Sequence, residues 1–299
     1  MMKNTHCLKV GMVLAVSIGG LCLGAGPGWA QQPSGPQYET VKVADGVYIF
    51  KGEGRNSLFV TTPAGVIATD PISVKAAKAY REEIRKITPL PVRYVVYSHS
   101  HFDHIIGGAA FADTATFVGH ENLRDRLLRL SAAPAPKDLA DIPVPSLTYH
   151  DHLTLELGGR KVELHYVGRG HSDNSTVVLV PDQKVLFAVD FIPIRSLQFR
   201  WMLDSYPMEL IESIKRVEAI DFNIFVPGHG PIANKDAVRE HREFLQDLSS
   251  EVKKSVDQGM TLEETIKVVK LPKYEKWGGY QNLPMSIERY HEYYRRGID

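Results

Sequence analysis

The chain has 299 residues, 43% of them hydrophobic, which is enough to bury a large core in one or two domains. Its 35 basic residues are balanced by 35 acidic ones, so it lacks the positive footprint of a binder of nucleic acid or of an anionic membrane surface. Nucleic acid is excluded as a partner on that ground, a small-molecule substrate is expected, and composition does not set the oligomeric state.

The N-terminus has the pattern of an export signal. Lys3 and Lys9 lead an apolar run from Val10 to Leu23, and Gly28-Trp29-Ala30 places a small residue before Gln31. The run is short for a bilayer span, which takes about 20 residues. Residues 1–30 therefore read as a cleaved signal peptide, with an uncleaved anchor as the alternative, and Leu21 argues against lipidation at Cys22. Both cysteines, Cys7 and Cys22, fall inside this leader. The mature chain is then expected to hold no disulfide and no thiolate, to be periplasmic or secreted, and to keep no stable membrane anchor.

Residues 31–37 form a polar linker. Short strands follow at 41–43 and 47–50 around Asp45-Gly46, and at 57–61 and 65–69 around Thr62-Pro63-Ala64, a pattern of antiparallel hairpins. Helical spacing over 73–87 begins at Ser73, a good N-cap, and ends before Pro89. A strand at 92–97, a helix at 105–111, a strand at 115–118 and a helix at 121–130 come next, and this alternation predicts a layered α/β architecture. Residues 132–146 carry Pro134, Pro136, Pro143 and Pro145 and read as an irregular surface crossover, with an active-site lid as the alternative. Strands are expected at 153–157, 161–167, 175–180, 185–189 and 223–226, and helices at 207–220, 235–258, 262–269 and 284–296. Residues 31–299 are read as one domain with a helical extension from about 233.

The densest chemistry lies in Tyr97-Ser98-His99-Ser100-His101-Phe102-Asp103-His104, directly after the strand at 92–97. His99 and His101 point the same way in extended backbone, and Asp103 and His104 sit one turn on, so the block can serve two adjacent metal positions. Three more ligand-type residues each follow a strand: His171 in Gly170-His171-Ser172, Asp190 after 185–189, and His229 in Gly228-His229-Gly230. Loops at strand ends are where a sheet scaffold presents functional groups. Imidazoles and carboxylates without sulfur suit Zn²⁺, and also accept Mn²⁺ or iron. Two such ions can hold a bridging water, lower its pKa toward about 7 and stabilise an oxyanion.

These residues, in this order, resemble the metallo-β-lactamase superfamily over about residues 41–232. The resemblance implies an αββα sandwich of two mixed sheets with helices on both outer faces. It also implies two Zn²⁺ per chain: His99, His101 and His171 on the first, Asp103, His104 and His229 on the second, and Asp190 bridging. Asp103 and Asp190 would position the bridging hydroxide and move protons. The family's usual Gly-Gly after the first motif is displaced by one residue, which leaves the start of the helix there open. Asp190, where β-lactamase classes tend to carry cysteine or serine, is similar to the glyoxalase II-like ligand set, and His101 argues against the diiron, flavin-partnered branch. The exported layout is similar to periplasmic metallohydrolases linked to quinoprotein or sulfur-oxidation systems.

The expected function is hydrolysis of an ester, thioester, lactone, amide or related bond, with β-lactams possible as a side activity. One alternative is a mononuclear iron, persulfide dioxygenase-like enzyme using His99, His171 and Asp190, a two-histidine, one-carboxylate set; another is a non-catalytic binding or relay protein. Arg195 is a solvated arginine or an anchor for an anionic substrate group. Phe191, Phe199 and Trp201 pack a core or wall an apolar pocket. Tyr274, Trp277, Tyr280, Tyr290, Tyr293 and Tyr294 pack the terminal helices. His120, His165, His241 and His291 lack a ligand context and read as ordinary residues; His150-Asp151-His152 is ligand-like in type only.

Overall fold

The computed structural model describes residues 38–131, 139, 141–198 and 204–297. The leader lies outside them, as do Phe199, Trp201 and positions 132–138 and 140 of the Pro-rich segment. In the first sheet, β1 (Tyr38–Ala44), β2 (Val47–Gly52), β3 (Arg55–Thr62) and β4 (Gly65–Thr69) form an antiparallel meander. Then α1 (Val74–Ile87), β5 (Val92–Val96), α2 (Phe102–Ile105), β6 (Thr116–His120), α3 (Glu121–Ser131) and β7 (Leu147–Tyr149) add three strands parallel to β4. The second sheet has the order β12-β11-β10-β9-β8. Its strands β8 (His152–Leu157), β9 (Arg160–Tyr166), β10 (Thr176–Val180) and β11 (Val185–Ala188) are antiparallel. After α4 (Pro207–Ala219), β12 (Ile224–Pro227) pairs parallel with β11, and α5 (Lys235–Asp257), α6 (Leu262–Val268) and α7 (Leu283–Arg296) follow.

Strands apolar on both faces force this layering. Val47 and Ile49 of β2 join Val178, Val180 and Phe187 of the second sheet in a core between the sheets. Phe50 and Phe59 point the other way, onto Tyr80 and Ile84 of α1. Val177 and Leu186 likewise turn outward onto Leu210, Phe244 and Tyr290 of the second helical layer. The architecture is the expected αββα sandwich, and the terminal helices share one core with the second sheet. Tyr274 and Tyr290 are buried in it, and Trp277, Tyr280 and Tyr294 pack against it. No helix among the described residues is long and apolar enough to cross a membrane.

Local signals explain the helix starts. Ser73 Oγ accepts the Ala76 N–H at 3.0 Å, Asn234 caps α5 through Ala237, and Thr261 and Glu264 form a reciprocal capping box on α6. The helix expected at 105–111 is instead a single turn, α2, and a 3₁₀ turn over Gly108–Phe111. The break is at Gly107, whose N–H donates to the Ile72 carbonyl at 3.2 Å and where a Cβ would meet the Ser73 carbonyl oxygen at 2.4 Å. That close approach ties the motif to the end of β4 and stops the helix. The unexpected β7 has three residues, too few for a periodic signal.

His241 on α5 is 1% exposed and neither ring nitrogen has a hydrogen-bond partner. Burial holds its pKa down at about 3, against an ordinary 6.5. The folded state therefore keeps it neutral while the unfolded chain protonates, so stability is unaffected above about pH 6.5 and falls as pH drops from there toward about 3. At about 1.4 kcal/mol per pH unit, the wild type is expected to lose roughly 2 kcal/mol more than His241→Leu between pH 7.5 and 5 in urea melts. Equal losses would assign the acid sensitivity elsewhere.

Candidate metal centre

All seven ligand-type residues named from the sequence come together where the two sheets meet at one end. His99 and His101 follow β5, Asp103 and His104 lie on α2, His171 follows β9, Asp190 follows β11 and His229 follows β12. They divide into two donor sets that share one member. In the first, donor atoms of His99, His101, His171 and Asp190 all lie within 4.8 Å of one another; in the second, those of Asp103, His104, Asp190 and His229 do. His99 and His171 Nε2 are 3.6 and 3.7 Å from Asp190 Oδ2, and His171 Nε2 is 3.0 Å from His101 Nδ1. On the other side, His104 Nε2 is 3.1 Å from Asp190 Oδ2 and His229 Nε2 is 3.2 Å from Asp190 Oδ1.

The backbone is bent to make this convergence. Asp190 has φ +70°, a left-handed conformation that is unfavourable for a residue with a side chain. At Gly228 a Cβ would fall 2.7 Å from Asp190 Oδ1 and 2.5 Å from Val189 Cγ1, so glycine is required for the His229 loop to approach.

The outer ring nitrogens show which ones are free for a cation. Ser98 Oγ donates to Asp70 Oδ2 at 2.6 Å and so accepts from His99 Nδ1 at 2.9 Å, leaving His99 Nε2 unprotonated. His101 Nε2 lies 3.1 Å from Asp204 Oδ1, which turns Nδ1 inward, and His229 Nδ1 donates to the Gly54 carbonyl at 3.0 Å. His104 Nδ1 is 3.3 Å from Asp70 Oδ2, though off hydrogen-bond alignment. Buried His99 Nε2 and Asp190 Oδ1 have no hydrogen-bond partner. His99 Nε2 faces Asp190 Oδ2 at 3.6 Å and Asp190 Oδ1 faces His229 Nε2 at 3.2 Å, and acceptors left buried against acceptors are costly unless a cation fills the space between them. The donor set fits one or two borderline divalent ions.

Electrostatics lead to the same result. Burial, then the neighbouring imidazoles, hold His99 well below the ordinary histidine range, and burial brings His171 down to about 4. Burial also opposes charge on His104, but the Asp190 carboxylate outweighs it and holds the imidazole at about 10. Against the cost of burial, His104, His99 and His171 keep Asp190 ionised, well below the usual carboxylate range.

The profile of the Metallo-beta-lactamase superfamily matches residues 52–229, more than half of the chain. The chain belongs to this superfamily. It is 27% identical, over 68% of its length and 60% of the relative's, to the 2,4-dinitroanisole O-demethylase subunit alpha of Nocardioides sp.. It is 23% identical, over 71% and 49% respectively, to a linear primary-alkylsulfatase of Pseudomonas sp.. A type 2 metallo-beta-lactamase of Bacillus sp. is 27% identical over 66% of this chain and 76% of its own. The chain thus spans about half to three-fifths of the length of the first two relatives. A stereoselective inverting sec-alkylsulfatase of Pseudomonas sp. matches with a TM-score of 0.73 over 86% of this chain and 50% of its own at 15% identity. A metallo-beta-lactamase from Pontibacter korlensis matches with a TM-score of 0.59 over 70% and 99% at 23% identity. At those identities the likeness to solved structures is one of fold.

Within this superfamily scaffold, a cavity of about 900 Å³ opens over the donor sets. Phe102, Leu130, Ile192 and Leu197 give it an apolar wall, and Gln281 and Asn282 of the C-terminal extension close one side. The extension is held there by Leu197 N–H to the Gly278 carbonyl at 2.8 Å and Gly278 N–H to the Arg195 carbonyl at 2.9 Å. Arg195 itself faces away: its guanidinium is exposed and pairs in bidentate fashion with Glu240 at 2.8 and 2.9 Å, as a solvated arginine rather than an anchor. Phe191 is buried in the core under the second helical layer. The described residues of the proposed lid, 139 and 141–146, pack on the first sheet, with Ile142 in its core, Leu139 against it and Ser146 N–H bonded to the Phe117 carbonyl at 3.1 Å.

Sequence reasoning missed the residues that brace the site. Asp70 ends β4 as Asp190 ends β11, and the same rule of an acid just past a buried strand would have found it. Arg55 grips Asp103 Oδ2 from Nε and Nη2 at 3.0 and 2.9 Å, and Arg126 donates to Asp204 Oδ2 at 2.7 Å. No local pattern marks these, since the partners are 48 and 78 residues apart. Removing the carboxylate that orients a metal-binding imidazole costs about 10–100-fold in metal affinity. Asp204→Ala is therefore expected to weaken the His99–His101–His171 site by that factor in a chelator competition while the second site is spared. An unchanged affinity would mean that Asp204 does not orient His101.

Proposed function

We propose that this protein is an exported, dinuclear zinc-dependent hydrolase that cleaves an ester, thioester, lactone, amide or related bond in a small molecule. What carries the reading is Asp190, a member of both donor sets. A site for one ion needs no second set on the far side of the same carboxylate. Two zinc ions bound there would supply Lewis acidity and an activated water at neutral pH.

The chain's own residues do the rest. Asp103 is less buried than Asp190 and faces the cavity. Arg55 holds its Oδ2, the oxygen 3.7 Å from His104 Nε2, so the guanidinium fixes the carboxylate against the second donor set, where it would bind metal or pass a proton. Among the described cavity-lining residues, the charged side chains outside the donor sets are Arg55 and Arg126, both cations. Beside an apolar wall, they favour a substrate that joins an anionic group to an apolar body. The alkylsulfatase relatives are named for such a pairing, an alkyl group with a sulfate. Export rests on the leader pattern alone.

Protein recovered from the periplasm without added metal is expected to begin at Gln31 and to contain two zinc ions per chain by elemental analysis. One iron per chain would replace hydrolysis with oxygen chemistry, and no tightly bound metal would refute the ligand assignment. A screen of thioesters, lactones, phosphate and sulfate esters and β-lactams follows. Loss of one charged contact to an anionic substrate is worth about 1.4 kcal/mol, or tenfold. Arg126→Met is accordingly expected to raise KM about tenfold for anionic esters and to leave neutral analogues within about twofold. Equal losses on both would remove the anchor and leave a bracing role through Asp204.

A further inference from the structure

The hairpin of β8 and β9 forms the free edge of the second sheet, turning at Gly158-Gly159 with Leu157 opposite Arg160. Leu155, Val162 and Leu164 face the core between the sheets. By strand alternation, His152 and Thr154 of β8 and Glu163 and His165 of β9 face the opposite way. The register sets His152 directly across from His165, and Glu163, across from Thr154, is the next residue along the same face. Tyr166 N–H donates to the Asp151 carbonyl at 2.8 Å. His152 and His165 are therefore a pair without backbone hydrogen bonds between them, the kind whose side chains come closest.

The side chains use that proximity. The two imidazole centroids are 4.7 Å apart, and Glu163 Oε2 lies 3.2 Å from His165 Nε2. One donor atom from each of the three residues lies within 4.8 Å of the others. Tetrahedral coordination at zinc-to-nitrogen distances near 2.0–2.1 Å needs donors about 3.3 Å apart. Side-chain torsions at a solvent-facing edge can close that gap while β10 holds β9 from its other side, with Val177 across from His165.

We propose that His152, Glu163 and His165 form a second metal site, separate from the cavity, which binds one Zn²⁺-class divalent ion (Zn²⁺, Ni²⁺ or Cu²⁺) and leaves a coordination position open to water. Two imidazoles and a carboxylate are the donors that these borderline ions select. An ion there would clasp the exposed edge strand β8 to β9, and because the site exists only in the paired hairpin, binding would favour the folded chain.

The test compares metal uptake by the full chain with its cavity metals in place. On titration with Cu²⁺ or Zn²⁺, the wild type is expected to take up one ion per chain more than His152→Ala or Glu163→Gln, with Cu²⁺ giving a two-nitrogen electron paramagnetic resonance signature. Zn²⁺ should raise the melting temperature of the wild type and not of His152→Ala. His150→Ala serves as the control, because His150 is exposed and pairs with Glu121 instead; it should keep the extra ion. Asp190→Ala should also keep it, even if the cavity holds fewer metals than proposed, so failure of the dinuclear reading is distinguishable. Equal uptake in wild type and His152→Ala, or equal loss in His150→Ala, would overturn the proposal.

Discussion

A single buried carboxylate organises this molecule. Asp190 sits in a left-handed backbone conformation at the end of a strand buried on both faces, with four imidazoles directed at its two oxygens. Backbone strain of this kind costs on the order of 1–3 kcal/mol and persists only where surrounding packing imposes it. Here the packing comes from Val185 and Phe187 on one face and Leu186 and Ala188 on the other. The two sheets are thereby a device for holding one charge where water would otherwise solvate it. Every imidazole that approaches the charge comes from a different loop or from the one turn of α2.

The residues around it share one design. Four of the five histidines turn one nitrogen toward Asp190 or its neighbours and place the other near a protein oxygen: Ser98 Oγ, Asp204 Oδ1, Asp70 Oδ2 or the Gly54 carbonyl. His171 is the exception, with a buried Nδ1 that has no hydrogen-bond partner. Asp70 serves two of these histidines, His99 through Ser98 and His104 by proximity. Ser98 N–H also donates to Asp70 Oδ1 at 2.7 Å, so β4 braces the motif that follows β5. The parallel pairing of those two strands, through Ala68–Val95 and Thr69–Val96, makes the contact possible.

The C-terminal extension does more than cover the second sheet. The family match ends at residue 229, yet the segment around Gly279 to Asn282 forms part of the cavity wall. Gly279 has φ +70°, and a Cβ there would meet the Leu197 carbonyl oxygen at 3.0 Å. The terminal helices are thus linked to the chemistry through one tight turn against the 195–198 loop, while their aromatic residues, Tyr274 and Tyr290 among them, anchor the helices in the outer core.

The histidine and aspartate positions were legible in the sequence because metal chemistry leaves local marks: a dense His-x-His-x-Asp-His block, and single ligands placed just after apolar strands. Both-face burial marked the strands as well, since runs such as 176–180 and 185–188 have no polar face. What the sequence could not show were pairings made across the fold. Arg55 with Asp103, Arg126 with Asp204, and Arg195 with Glu240 rather than with a substrate are contacts between residues 45 to 78 positions apart. The break at Gly107 depends on a carbonyl of the preceding loop, and His165 is unremarkable until strand register sets His152 opposite it. Side-chain type and period are properties of the chain itself, so the candidate donor residues and the layers were determined by the sequence. Which donor faces which acceptor depends on loop closure and register, and only the tertiary structure decided it.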